Sequence, residues 1–404
     1  IIKSLFGILY MSKGAFWLKF GLFTVGLGQS FVFVLVPPLA RELGLSEIQT
    51  STIFAISAIA WAMTSAGWGR ASDKYGRRNI AILGLVGYAI SMVALITPLF
   101  LVERNILDVI YLFPLLIMGR LINGIIGSAT RPASFAYIAD TSTREERTLE
   151  FARMESSFLV GTVAGPLLGG ALFLITKETP FYLFSALALI ASVGIFFNLK
   201  QYAPKERDIK VLKISYKSNN VWPFLFLAAL TSLCQASLLQ SIGFFITDTF
   251  SNLNDLPILI SISFALISIS AIVSQYLFTD LIALNNYKLL ILGSFLMIVS
   301  YYAMAYADTI AIYYLTLIFN GFGVGMIRPA TASSLSLNQL PENQGSAAGY
   351  LGSVMPIGHM MVPLIAMPIY TIQPNYLYVF SSGLCILIIF FIIVHPIFKE
   401  NLID

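Results

Sequence analysis

Charge, cysteine and histidine are all scarce in this sequence. Asp, Glu, Lys and Arg together make up 11% of 404 residues, beside two cysteines and two histidines. Cys234 and Cys385 sit inside apolar runs without ligand spacing, which argues against a disulfide framework and against a cysteine metal site. His359 and His395 are equally isolated, so no metal cluster is expected. A formal charge of +4, dispersed along the chain, argues against a nucleic-acid surface. No phosphate-cradling loop, nucleophile triad or cofactor motif is present, so neither enzyme chemistry nor a cofactor is expected. The amino terminus alternates Lys3, Lys13 and Lys19 with apolar residues and lacks a small-residue cleavage site, so no cleavable signal is read there.

What is present is apolar sequence, 57% of the chain. A soluble protein of this length cannot hide so much of it, and a bilayer removes the difficulty. Runs long enough to cross the hydrocarbon, roughly 20 residues each, fall at 16–39, 47–69, 79–101, 110–138, 151–174 and 180–199. After a break, further runs fall at 220–246, 257–279, 288–306, 310–332, 346–369 and 376–395. The expected fold is an all-α membrane protein with twelve spans in two six-helix bundles. These occupy 1–200 and 220–404, joined by a hydrophilic linker over 201–219. With both termini in the cytoplasm, Arg70, Lys74, Arg77, Arg78, Arg144, Arg147, Arg153 and the linker lysines lie inside. Only Arg41, Arg104 and Lys177 lie outside, as the positive-inside rule requires of a multi-pass protein of the cytoplasmic (inner) membrane.

The two halves repeat one another. NGIIGSATRPA at 123–133 returns as NGFGVGMIRPA at 320–330, an offset of 197. At that offset Glu145 falls on Glu342, Ala152 on Gly349, Gly161 on Gly358 and Pro166 on Pro363. Like-oriented repeats suit a transporter whose halves rock about a central site.

Between spans two and three, GRASDKYGRR at 69–78 fits Gly-x-x-x-Asp-x-x-Gly-Arg-Arg. With the twelve spans, the linker and the repeat, the chain resembles the major facilitator superfamily over its whole length. Gly69 is expected to permit close helix contact and Gly76 a tight turn. The resemblance implies that Asp73 and Arg77, with Asp140 at the end of span four, form a gating latch, with Gly69, Gly76 and Arg78 in the same motif. The alternative is a topology anchor only. In span five, Gly161-TVA-Gly165-Pro166-LL-Gly169-Gly170 resembles the superfamily's exporter motif, departing only at Ala152, and implies export, commonly against protons. Close helix packing alone is the other reading. AYIADTSTREERT at 136–148 likewise resembles the span-four exit of tetracycline and multidrug exporters. Arg120-Leu-Ile-Asn123-Gly124 resembles an Arg-x-x-Gln-Gly signature, which gives Arg120 a proton-coupling role by resemblance.

In the superfamily, spans one, four, seven and ten line the cavity. Asn123 and Arg131 in span four, with Asn320 and Arg328 in span ten, are read as lying along one helix face in each half. An arginine within the membrane normally faces a cavity or a partner, and guanidinium suits carboxylate or phosphate. The pair is therefore read as an anion clamp; snorkelling to lipid headgroups is the alternative. Spans one and three contain no acid, and Glu155 is the acid placed inside the membrane, so the cavity is expected to be poor in anions. Glu155 and His359 are the candidate proton carriers. Gln29, Gln235 and Gln240 are candidates for orienting cargo, or packing amides. The expected function is proton-exchanging export of a small organic anion, a carboxylate of metallophore type. A multidrug or tetracycline-type exporter, an organic-anion uptake symporter and a non-transporting receptor are the alternatives. The expected partners are cargo, protons and lipid, with the chain working as a monomer.

Overall fold

A computed structural model describes residues 13–142, 144–200, 215–250, 255–339 and 344–400. Linker residues 201–214, Glu342, and the side chains of Glu145 and Ala152 lie outside what is described. Twelve helices are long and apolar enough to cross a membrane. In the first half they are Gly14–Glu42, Glu47–Tyr75, Arg77–Glu103, Val109–Thr141, Arg153–Phe173 and Thr179–Asn198. In the second half they are Trp222–Thr249, Leu256–Phe278, Asn286–Met304, Ile310–Leu337, Gly349–Ile372 and Pro374–Val394. They are called spans one to twelve below.

Side-chain caps open several spans: Asp108 accepts from the Ile110 amide before span four, Asn285 from Lys288 before span nine, and Thr309 from Ile312 before span ten. Each satisfies an amide that the first helical turn leaves without a carbonyl.

Packing divides the chain into one unit of Ile1–Leu45 with Ile56–Asp208 and another of Ser46–Ala55 with Ile209–Asp404. In the first unit, span one packs on span five, and span three on spans four and six. In the second, span seven packs on span eleven, and span nine on spans ten and twelve. Equivalent spans thus choose equivalent partners, which is the sequence repeat expressed as structure.

Spans one and five meet backbone to backbone. A Cβ on Gly161 would strike the Phe23 carbonyl, one on Gly165 the Leu27 carbonyl, and one on Gly26 the Phe158 carbonyl. Gly169 leaves room for the Phe31 ring, Gly170 is buried, and the helix continues through Pro166. Gly358 repeats the arrangement in the second unit, against Ser232, whose hydroxyl donates to the Met355 carbonyl at 2.6 Å. Small residues here are required by the distance between helices.

Span four is not one continuous helix. It runs as an α-helix over Leu112–Ile125, a 3₁₀ turn over Gly127–Ala129, and a second α-helix over Thr130–Thr141. A Gly-Ser pair just ahead of Pro132 is a combination that breaks helical hydrogen bonding. Span ten has Val324 and Gly325 before its own Pro329 and stays helical. Span two takes up carbonyls near the break. Thr64 Oγ1 donates to Gly124 O at 3.1 Å and Trp68 Nε1 to Ile125 O at 2.5 Å, while Ser128 Oγ also donates to Ile125 O at 2.8 Å. Trp68→Phe keeps the ring and removes the donor. It is expected to cost about 1 kcal/mol of stability, read by denaturation in detergent, with faster amide exchange confined to the break.

Candidate functional site

The loop between spans two and three closes on itself and on span four. Gly76 adopts φ 92°, the left-handed region that favours glycine, and turns the chain from one span into the next. That turn presents Arg77 to two acids. Its guanidinium pairs with Asp73, and its Nε donates to Asp140 Oδ2 at 3.1 Å. Its Nη1 donates to the Gly69 carbonyl at 3.2 Å and to Ser72 Oγ at 2.5 Å. The three latch residues therefore converge within one unit. Gly69 differs from expectation: none of the described residues lies within 4 Å of where its Cβ would be, and its carbonyl accepts from Arg77 instead. Arg78 leaves the cluster, reaching the Phe196 carbonyl at 3.4 Å with its guanidinium over the Phe196 ring.

The motif asparagines and arginines do not share a helix face. Asn123 is 4% exposed and Asn320 0%, while Arg131 is half-buried and Arg328 exposed. Eight residues of α-helix leave a rotation of about 80° between first and last, and in span four the 3₁₀ turn intervenes. The asparagines therefore face helix packing. Among the described residues Asn123 Oδ1 has no hydrogen-bond partner, and the Asn320 amide adjoins the Tyr301 hydroxyl. Gln235 Oε1 and Gln240 Oε1 are likewise buried and unmatched among the described residues. Gln29 is half-buried.

Arg131 is not an isolated cation. Its Nη2 meets both carboxylate oxygens of Glu155 at 2.5 Å, and its guanidinium lies over the rings of Phe135 and Phe158, 5.6 and 5.2 Å from their centroids. Span four's cargo candidate and span five's proton candidate are thus one ion pair. The turn at Ser142 explains the pairing: Arg131 precedes it by 11 residues and Glu155 follows it by 13, which sets them at matching depth on antiparallel neighbours. Arg328 forms no salt bridge among the described residues, and the position equivalent to Glu155 is Gly352.

Arg120 is 5% exposed, with its guanidinium 5.9 Å from the Phe33 ring centroid and its carbonyl accepting from Ser57 Oγ at 3.0 Å. His359 Nδ1 lies 3.1 Å from Gln240 Nε2, a contact that joins span eleven to span seven and leaves the imidazole half-buried. Sequence reasoning missed a third cluster altogether. Glu150 accepts from Lys19 Nζ at 2.9 Å and from Arg153 Nη1 at 2.5 Å, which ties the base of span one to the approach to span five.

Glu150 lies outside the spans. Burial pushes its carboxyl up, but the hydrogen bonds from Lys19 and Arg153 outweigh that and hold it below the ordinary value of 4.5. A carboxyl lowered on folding stabilises the protein above its unfolded pKa, and that contribution is lost as pH falls through the folded value. The wild type should therefore lose stability below about pH 4.5 more steeply than Glu150→Gln, as melting temperature against pH will show. Asp73→Asn should impair flux while leaving insertion and folding intact, because it halves the acidic grip on Arg77. Undiminished flux in that variant would reduce the loop to a topology anchor.

The sequence profile described as the Major Facilitator Superfamily matches residues 18–363. Multidrug resistance protein 1 of Bacillus subtilis is 26% identical over 372 residues, covering 89% of this chain and 90% of that protein. Quinolone resistance protein NorA of Staphylococcus aureus is 26% identical over 369 residues, covering 88% and 89%. Among solved structures, the human organic anion transporter MFSD10 aligns over 94% of this chain and 98% of its own with a TM-score of 0.65 at 18% identity. A bacterial homolog of the human lysosomal transporter Spinster, inward-facing and unoccupied, aligns over 96% and 97% with a TM-score of 0.72 at 13% identity. At these identities the structural likenesses speak for the fold.

Proposed function

We infer that this chain, which belongs to the Major Facilitator Superfamily, is a secondary active exporter of small organic molecules driven by protons moving the other way. Export is supported by the glycine stripe that seats span five on the backbone of span one, and by curated relatives that are multidrug and quinolone resistance proteins. The observation that supports an acidic cargo is the arginine content of spans four and ten. Arg328 is exposed and without a salt bridge among the described residues, while Arg131 is held by one acid. A guanidinium in an apolar span calls for an anionic partner, so a cargo bearing an acidic group, such as a carboxylate of metallophore type, is favoured.

A multidrug exporter is the second reading, favoured by the relatives' names and coverage. In both readings Arg131, Arg328 and the half-buried Gln29 contact cargo, while Arg120, Glu155 and His359 handle protons. The Arg77 cluster gates, both termini lie in the cytoplasm, and the chain works as a monomer in the cytoplasmic membrane.

Inverted vesicles acidified inside test this reading when offered citrate, phenylalanine and ethidium. Acid-bearing probes should accumulate and leak back when a protonophore is added. Arg328→Ala should lower that accumulation roughly tenfold, the value of one charge-assisted hydrogen bond, and spare ethidium. Glu155→Gln or His359→Gln should uncouple flux from the gradient. Saturable binding with no pH-driven accumulation would instead favour a receptor.

A further inference from the structure

The Arg131–Glu155 pair has features that a packing role does not use. Its side chains are 40% and 41% exposed, whereas Lys19 in the neighbouring cluster is 8% exposed. Both contacts to the carboxylate go through Nη2 alone, so the two-pronged grip available to a guanidinium is not made. Two aromatic rings lie beneath the guanidinium, and Phe151 abuts Phe135 with centroids 5.2 Å apart, so the pair stands beside an apolar surface. An open ion pair on an aromatic floor is a place where one salt bridge can be exchanged for two.

A cargo with one charge cannot make that exchange. An anion that takes Arg131 strands Glu155, and a cation that takes Glu155 strands Arg131; a stranded charge in a low-dielectric setting is costly. A cargo carrying both an acidic and a basic group replaces the internal pair by two new ones and strands neither side chain. Exchange against protons fits the same pairing. A basic group needs Glu155 ionised, so a zwitterion and a proton exclude one another, the sign that exchange requires.

The other charged groups on the helices packed around span five do not compete for this role. Lys19 and Arg153 are engaged by Glu150, and Asp140 by Arg77. Arg41 and Glu42 lie at the opposite end of span one from Lys19, and span six contains no charged residue.

The geometry points to a zwitterionic cargo with an aromatic or otherwise apolar body, its acidic group on Arg131, its basic group on Glu155 and its body against Phe135 and Phe158. The inference rests on the exporter reading for its direction alone, because the binding test needs no gradient.

Three probes share one aromatic body: phenylalanine, 3-phenylpropionate and phenethylammonium. Their binding to the purified full-length protein in nanodiscs at neutral pH is the test. Wild type should bind phenylalanine roughly tenfold or more above either singly charged probe, the value of one charge-assisted hydrogen bond. Glu155→Gln should shift preference to 3-phenylpropionate and Arg131→Gln to phenethylammonium. The reversed pair, Arg131→Glu with Glu155→Arg, restores the internal salt bridge and should recover phenylalanine binding, which controls for misfolding of the single variants. Phenylalanine binding no better than that of the singly charged probes, including none at all, would overturn the inference, as would one ranking common to all variants. If phenylalanine binds as expected but is not accumulated by acidified inverted vesicles, the site stands and export fails.

Discussion

A guanidinium placed ten residues inside an apolar span has to be answered by something of opposite charge, and much of the first half of this protein is arranged so that Glu155 can answer Arg131. Glu155 is carried by span five, and span five has little freedom. Gly161 and Gly165 press it against the backbone of span one, and the Lys19–Glu150–Arg153 cluster ties its approach to the same helix. A side chain added at either glycine would strike a carbonyl and push Glu155 away from its partner. The packing stripe and the ion pair are therefore one construction.

On the other side of the pair, span four has a joint. The 3₁₀ turn at Gly127–Ala129 separates Arg120 and Asn123 from Arg131 and Asp140, while Trp68 and Thr64 hold carbonyls near the break. Arg131 and Asp140 thus share a short helix with the partner of the Arg77 cluster at its far end. A change of charge at Glu155 and a change of grip at Arg77 act on the same twelve residues. The second unit has no such joint in span ten and no acid at position 352. The repeat has kept its arginine and lost the counter-charge, which makes Arg328 the more available cation of the two.

Much of this was legible in the sequence because a bilayer imposes long apolar runs and the superfamily loop has fixed spacing. Twelve spans, the Gly76 turn and the convergence of Asp73, Arg77 and Asp140 followed from those constraints. The pairing of Arg131 with Glu155 was less visible, since the residues lie 24 positions apart and were assigned separate roles. Similar distance from the turn at Ser142, 11 residues before and 13 after, was the signal that could have joined them. Periodicity misled at Asn123 and Asn320, because a spacing of eight drifts well off a helix face and the local Gly-Ser break is invisible to pattern counting. Gly69 misled as well. Glycine in an apolar helix suggests contact, and here its carbonyl is what is used.

The central claim is that cargo and proton compete for Glu155. Its most direct measurement is the affinity of the purified protein for phenylalanine across a series of pH values running downward from neutral. The account predicts that the affinity of the wild type falls as pH falls and that Glu155→Gln loses this dependence. Wild-type affinity that is independent of pH, or that rises as pH falls, would contradict it.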